Sequence, residues 1–424
     1  MNKIYFCKLF SDFKFDKSLR DMKKIAISAL ALIFILTAKN TTLAQCIDGF
    51  LPNGQKCGGT VQTAVPFLRI NPDARSGAMG DVGIGLSPDA NAIHFNASKL
   101  AMADQNFGAS LTYTPWLRNL GVNDIYMAYG TGFYKFGGKA QQAVGVGLRY
   151  FSLGSIQWTD FNAQPIGEGS PREFEIAASY SRQLSPNLAV GATGKFVYSN
   201  LASGQSPDGG GGERITSGKA GAVDISLTYK KPIKMTAGNS NLMVGAVVSN
   251  IGNKITYLRS ADFLPTNLGI GAAWDIPFDQ YNSIVIAADI NKLLVPTPQP
   301  NDSTDANGNK IPDWKDVSVI SGMLKSFGDA PGGFGEELKE LTYSLGVEYW
   351  YDKQFAVRAG YFYENTSKGG RQYFTVGLGL KYNVLGINLS YLVPTSSQRG
   401  PLDNTLRFSL LFDAASFRDT DSEN

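Results

Sequence analysis

The chain has one histidine, His94, so a Ser-His-Asp relay could be built on that ring alone. His94 stands beside Phe95 in a stretch of small residues, where the expected role is a hydrogen-bonded, packed ring. Zinc needs nitrogen and sulfur ligands, and one histidine with Cys46 and Cys57 does not make a set. Gly138-Lys139-Ala140 lacks the hydroxyl residue and the upstream glycine of a phosphate loop, and Gly77-Ala78-Met79-Gly80 opens no βαβ unit. Carboxylates such as Asp224 and Glu348 could mimic an acid pair, but each falls at an alternate position of a strand-like segment. No catalytic residue and no organic cofactor is expected.

Two weaker signals remain. Asp305, Asn307, Asn309 and Asp313 place oxygen atoms at alternate positions around Gly308, which echoes a calcium loop. Ser303 stands where an aspartate would open that motif and the distal glutamate is missing, so a polar turn is the competing reading. Cys46 and Cys57 could close a small disulfide loop in an oxidising compartment, or stay free thiols.

The elements that would position these groups are strands. Leu406 to Phe412, Val144 to Tyr150 and Val223 to Tyr229 alternate apolar with small or polar residues, a period of two. The pattern recurs about fourteen times between Phe107 and Phe412. Lys23-Lys24, the apolar run Ile25 to Leu36 and Thr42-Leu43-Ala44 read as a secretory signal peptide over 22–44, too short for a membrane anchor. Residues 1–21 then read as an upstream extension from a mis-called start. Gln45 before Cys46 is a poor lipidation signal. With 47 Gly, 25 Phe, 19 Tyr and a net charge of only +3, the composition suits an exported barrel and gives no reason to expect nucleic acid as partner.

Connection lengths alternate. Ser185 to Asn187, Pro277 to Asn282, Asp352 to Gln354 and Asn383 to Leu385 are short, while Ser152 to Arg172, Ser199 to Ser217, Ile251 to Thr266 and Leu293 to Thr342 are long. Short turns on one side and long loops on the other mark an outer-membrane barrel. The expected fold is therefore all-β: a transmembrane antiparallel barrel over 106–412 in the outer-membrane lipid of a Gram-negative cell. A segment over 45–105 precedes it and a tail over 413–424 follows. Both termini are expected in the periplasm and Gly209 to Gly212 outside. Assigning the apolar set to lipid turns Arg149, Glu175, Lys195, Asp224, Asp275, Asp289, Glu348, Arg358, Lys381 and Arg407 inward. Tyr113, Tyr150, Tyr198 and Tyr391 at one end, and Tyr180, Tyr229, Tyr351 and Tyr382 at the other, form two expected aromatic girdles.

The stretch from Val61 to Asp104 is too long for a tail, and its small residues with scattered apolar anchors suit a compact hatch inside the barrel. Its sequence resembles the N-terminal hatch of the FadL-like outer-membrane barrels. Pro66-Phe67-Leu68-Arg69-Ile70 and Pro72-Asp73-Ala74-Arg75 are similar to one branch of them, the PorV family of the type IX secretion system. Gly328 to Phe334, Leu345 to Tyr351, Phe355 to Glu364 and Tyr391 to Pro394 extend the likeness over nearly the whole exported chain. Asn96-Ala97-Ser98 departs from the pattern by lacking a proline, and Pro296 to Asp316 looks like an insertion. The resemblance implies a non-catalytic shuttle. It would bind the secretion channel protein and the C-terminal signal domains of cargo, and pass cargo to a sortase-like attachment complex. A FadL-like carrier of long-chain fatty acids or other hydrophobic molecules is the alternative.

The long connections carry more apolar residues than idle loops need. Trp116, Leu117 and Leu120 occupy the first, and Phe263 and Leu264 sit with Ile255, Tyr257 and Leu258 on the fourth. Trp314, Val317, Ile320, Leu324 and Phe327 occupy the ninth, at spacings that fall on one side of a helix. Trp116, Leu117, Phe263, Leu264, Val317, Ile320, Leu324 and Phe327 are the expected partner-binding residues, with closure of the barrel mouth as the competing role.

Overall fold

The computed structural model describes residues 60–117, 124–138, 141–159, 162, 164–205, 213–258, 261–298, 308, 311–395 and 404–414. The signal segment, Cys46, Cys57, Leu120, Gly209 to Gly212, Asp305, Asn307 and Asn309 lie outside them.

Fourteen antiparallel strands close into a barrel. They are β1 (Phe107–Pro115), β2 (Ile125–Phe136), β3 (Gln142–Leu153), β4 (Arg172–Ser185), β5 (Leu188–Asn200), β6 (Gly218–Met235) and β7 (Gly238–Gly252). Then follow β8 (Asn267–Pro277), β9 (Asn282–Leu293), β10 (Thr342–Tyr351), β11 (Phe355–Tyr363), β12 (Gln372–Tyr382), β13 (Leu385–Pro394) and β14 (Leu406–Ala414). Each strand pairs with its chain neighbours, and β1 closes on β14 through pairs such as Phe107–Ala414 and Tyr113–Phe408. Closure leaves no free sheet edge, the condition for a β-structure in lipid.

The period-two pattern sorts side chains as a membrane barrel requires. Val146, Ile225 and Leu410 are more than half exposed on the outer wall, whereas Arg407 and Ser409 are buried within. That is the reverse of a soluble sandwich. No helix among the described residues is long and apolar enough to cross a membrane. Tyrosines mark both rims: Tyr113, Tyr126 and Tyr150 form a ladder at one end with ring centroids 5.6 and 6.1 Å apart, and Tyr180, Tyr229, Tyr351 and Tyr382 are exposed at the other.

The two ends differ. At the turn end the connections are 137–141, 186–187, 236–237, 278–281, 352–354 and 383–384. At the capped end they are 116–124, 154–171, 201–217, 253–266, 294–341, 364–371 and 395–405. The apolar alternation of Val223 to Tyr229 stops at Tyr229, yet the hairpin continues to Met235 and Gly238, because Lys230 to Met235 keep pairing with Gly238 to Met243.

Residues 61–104 lie inside the barrel, bonded to its inward side chains. Asp73 caps the turn Ala74–Gly77 by accepting from the Arg75 and Ser76 amides. The Ala74 amide donates to Ser409 Oγ of β14 at 3.0 Å, and the Gly83 and Ile84 amides donate to Asp289 Oδ2 of β9 at 2.7 and 3.0 Å. Gly80 has φ +68°, and a Cβ there would lie 2.6 Å from the Leu345 carbonyl oxygen; a Cβ on Gly360 would land on the Gly80 amide and the Met79 carbonyl carbon. Glycine on both partners lets segment and wall touch backbone to backbone. At the proline-lacking turn, Asn96 supplies the cap instead: its Oδ1 accepts from the Ser98 amide while its Nδ2 donates to Thr228 Oγ1 at 2.8 Å.

The segment crosses the barrel lengthwise. Its first described residues, Thr60 and Gln62, are exposed, and the Ala64 amide donates to the Phe263 carbonyl of a capped-end connection at 2.9 Å. Its last part, Ala101 to Ala103, lies at the turn end, where Lys135 Nζ donates to the Ala103 carbonyl. The barrel ends Phe107 and Ala414 pair with each other at the turn end, whereas Ala64 is held at the capped end.

Candidate functional site

The interior is occupied by charge networks that tie the segment to the wall. Glu348 of β10 accepts from Arg75 of the segment, at 3.0 and 2.7 Å, and from Arg358 Nε of β11 at 2.6 Å; Arg358 also donates to Asn388. On the other side Arg149 pairs with Glu175 and donates to the carbonyl oxygens of Phe67 and Ile70. Lys195 bridges Asp224 at 2.7 Å and Asn250 at 2.9 Å, where a register shift between Val223 and Ile225 turns the Asp224 carboxylate towards the Asn250 amide. Buried charges of this kind persist only when paired; Arg75–Glu348 and the Arg149 bonds to Phe67 and Ile70 hold the segment, while Lys195–Asp224 joins neighbouring wall strands. Of the residues expected inward, Arg149, Glu175, Lys195, Asp224, Asp289, Glu348, Arg358 and Arg407 are buried. Asp275 and Lys381 are only half-buried, near the turn end, where Lys381 meets Asp413 at 3.1 Å.

His94 does not have the hydrogen-bonded ring expected of it. Its Nδ1 is buried without a partner among the described residues, and the ring stands edge-on to Phe95 with centroids 4.7 Å apart. Packing against the Phe95 and Tyr129 rings holds it. A polar cavity of about 140 Å3 lies between segment and wall, lined by Arg69, Asn71, Asp81, Asp289, Arg371 and Tyr373. A wider recess of about 610 Å3 opens at the turn end, lined by Asp89, Asp104, Lys353 and Arg358 among others. No group of three or more His, Cys, Asp or Glu among the described residues is placed to hold a metal. Asp313, the one described member of the calcium candidate, sits in a turn closed by the Lys315 amide on the Pro312 carbonyl at 2.8 Å.

The capped end carries the apolar surface. Connection 294–341 is pinned to the barrel rim by ion pairs: Lys292 Nζ donates to Glu337 at 2.8 Å and Glu340 at 2.6 Å, and Lys368 Nζ donates to Glu336 at 2.6 Å and Glu340 at 3.1 Å. Thr297 adds bonds to Asp329 and Glu340. Lys368, aided by the Gly332 amide, outweighs the opposing effect of burial and holds the Glu336 carboxyl below its usual range. So anchored, the connection forms a helix, Val319–Lys325, capped by Ser318 and seated through Gly322 against Pro296 and Phe263. Its free face presents Ile320 and Leu324, 59 % and 72 % exposed, one turn apart. Phe327, Phe334 and Leu338 on the same connection are also exposed.

The expected partner-binding residues thus divide. Ile320, Leu324 and Phe327 are exposed at the capped end, and Val317 is half-buried before the helix starts. Trp116, Phe263 and Leu264 are corrected: all three are buried, Trp116 and Leu264 in one cluster with Val65, Phe67, Leu68, Met127 and Phe151, and Phe263 under the helix. Leu117 packs half-buried against that cluster. The segment supplies the apolar partners that these loops would otherwise lack. Sequence reasoning missed Phe334 and Leu338; Phe334 closes the Gly328–Phe334 motif, but nothing in the spacing marks it as exposed.

A model of the type IX secretion system protein PorV matches residues 53–300. No curated protein sequence matches the chain. Among solved structures, the chain is similar to the Ralstonia pickettii toluene transporter TbuX, at 12 % identity and TM-score 0.46, covering 82 % of this chain and 98 % of that one. It is similar also to the P. putida toluene transporter TodX (12 %, 0.44, 80 % and 98 %) and to a Pseudomonas aeruginosa FadL homologue (14 %, 0.41, 84 % and 99 %). With more than half its length matched by that model, the chain, a closed antiparallel β-barrel, belongs to the PorV family of type IX secretion system proteins.

Proposed function

We propose that this protein is a receptor and shuttle of the type IX secretion system, without catalysis of its own. Its capped end, facing outside, grips the secretion channel and the C-terminal signal domain of cargo, and hands cargo to a surface attachment complex. The observation that carries this reading is the exposed apolar set Ile320, Leu324, Phe327, Phe334 and Leu338 on a connection anchored to the rim by ion pairs. A mobile loop would fold such side chains away; an anchored one keeps them in water, where a partner can bury them at roughly 1.5–3 kcal/mol each when complete. The alternative, a carrier of hydrophobic small molecules, needs an apolar passage. The cavity beside the segment is instead lined by Arg69, Asn71, Asp81 and Arg371, which weighs against it.

The test is co-purification from outer membranes with Leu324→Asp and Phe334→Asp together, heat-modifiable gel migration reporting folding separately. Loss of the channel and cargo from a folded barrel is the expected result. Retention of both, at wild-type export rates, would remove the capped-end surface from the mechanism.

A further inference from the structure

Arg407 differs from the other arginines of the lumen. Arg75 and Arg358 share Glu348, Arg149 has Glu175, and Arg69 and Arg371 share Glu364. Arg407 is 1 % exposed, makes no ion pair among the described residues, and keeps its Nε and Nη1 buried without an acceptor among them. Its neighbours on the inner wall are in the same condition. Ser390 of β13 pairs in register with Arg407; Thr114 of β1 follows Tyr113, which pairs with Phe408, so the three side chains stand in one row. Ser390 Oγ and Thr114 Oγ1 are both buried and unpartnered among the described residues. One step along the same strands, towards the turn end, the polar groups are satisfied: Thr112 Oγ1 meets Ser409 Oγ at 2.6 Å, and Ser409 Oγ accepts from the Ala74 amide at 3.0 Å.

We propose that a small monovalent anion of halide size binds in this row, taking hydrogen bonds from Arg407, Thr114 and Ser390. The donor set fits such an ion. A guanidinium has N–H groups only to give, and each hydroxyl can turn its hydrogen towards a shared acceptor. A neutral partner would satisfy the bonds and leave the charge, whereas a buried cation persists when its charge is met. The N-terminal segment cannot meet it from the lumen side. Gly77 lies over the row, its Cβ position 2.8 Å from Arg407 Nη1 and 3.2 Å from Ser390 Oγ, so no side chain reaches in there. The acids of neighbouring elements are engaged elsewhere, Asp81 with Asn71 and Tyr373, Glu348 with Arg75 and Arg358. Enclosure of the row favours a single spherical ion over a phosphate or carboxylate group. The ion would seat the turn Ala74–Gly77 against β13 and β14, where acid–base pairs hold the segment elsewhere.

Halide dependence of stability tests this. The purified barrel in detergent is heated in sodium chloride, sodium bromide or sodium gluconate at one ionic strength, and the temperature of heat-modifiable migration is read. The wild type should unfold at a higher temperature in chloride and bromide than in gluconate, and Arg407→Met should lose that difference. No difference in the wild type, or the same difference in Arg407→Met, would overturn the proposal. Should Arg407→Met fail to fold, Thr114→Val with Ser390→Ala keeps the charge and removes two donors; its halide difference should shrink, and a difference equal to that of the wild type would overturn the site.

Discussion

Phe263 and Leu324 sit at the same end of the barrel, on loops of similar apolar character, and meet opposite fates. Phe263 is 3 % exposed, beneath Gly322 and with Lys254 Nζ 4.3 Å from its ring centre; Leu324 is 72 % exposed, two residues along the helix from that same glycine. The difference is whether the chain itself supplies a cover. Residues 64–68 and the helix bury Trp116, Phe263 and Leu264 of two such loops, whereas Ile320, Leu324 and Phe327 have no cover among the described residues. Apolar content on a loop therefore says that something must cover it, not what does.

Matched substitutions would break this contrast most directly. Phe263→Asp places a charge where an aromatic ring packs and should cost on the order of 3–5 kcal/mol or more. It should be read as a lower temperature of heat-modifiable migration, with export failing only as a consequence. A barrel of unchanged stability would mean that Phe263 is not the seat of the helix. Gly360→Leu acts next. Its side chain would collide with Met79 and Gly80, so the segment must shift, and planar-bilayer currents, small and rare for the wild type, should become larger and frequent. Equal conductance in the two proteins would argue that the segment does not limit the lumen.

On the uncovered side, Leu324→Asp should change stability by no more than about 0.5 kcal/mol while abolishing capture of the channel or cargo. Full export by a stable variant would make the exposed face incidental. The smallest expected effect concerns pH at the rim. Burial alone would raise the Glu364 carboxyl, but Arg371 at 2.8 Å and Arg69 outweigh it and hold it below its usual range. A depressed pKa contributes stability above the unfolded value, about 4.3, that is lost as pH falls through the folded value. Wild type should thus exceed Glu364→Gln by up to about 1 kcal/mol from pH 8 to 5, and the gap should close only below about pH 4. A gap that closes near neutral pH would contradict the assignment.

Much of the fold was legible in residue order, for reasons that are local. Leu406 to Phe412 can alternate apolar and polar residues only as a strand with two unlike faces, and the parity of loop lengths fixes which strand ends lie together. Arg149, Glu348 and Arg358 could be assigned inward because charges do not face lipid. The extension of β6 to Met235 was not legible, since Lys231, Pro232 and Lys234 break the apolar pattern; pairing with β7 sustains the strand there. Of the candidate site, Ile320, Leu324 and Phe327 were readable as one helix face, while the burial of Trp116, Phe263 and Leu264 was not.

The sequence by itself determined the barrel, its polar interior and the apolar load of its long connections, because side-chain period and loop length are properties of neighbouring residues. Only the tertiary structure decided which apolar loops are covered, that Arg75 meets Glu348 across 273 positions, and that Ala64 bonds to Phe263 at the capped end. Those depend on contacts between residues far apart in the chain, which no local pattern encodes.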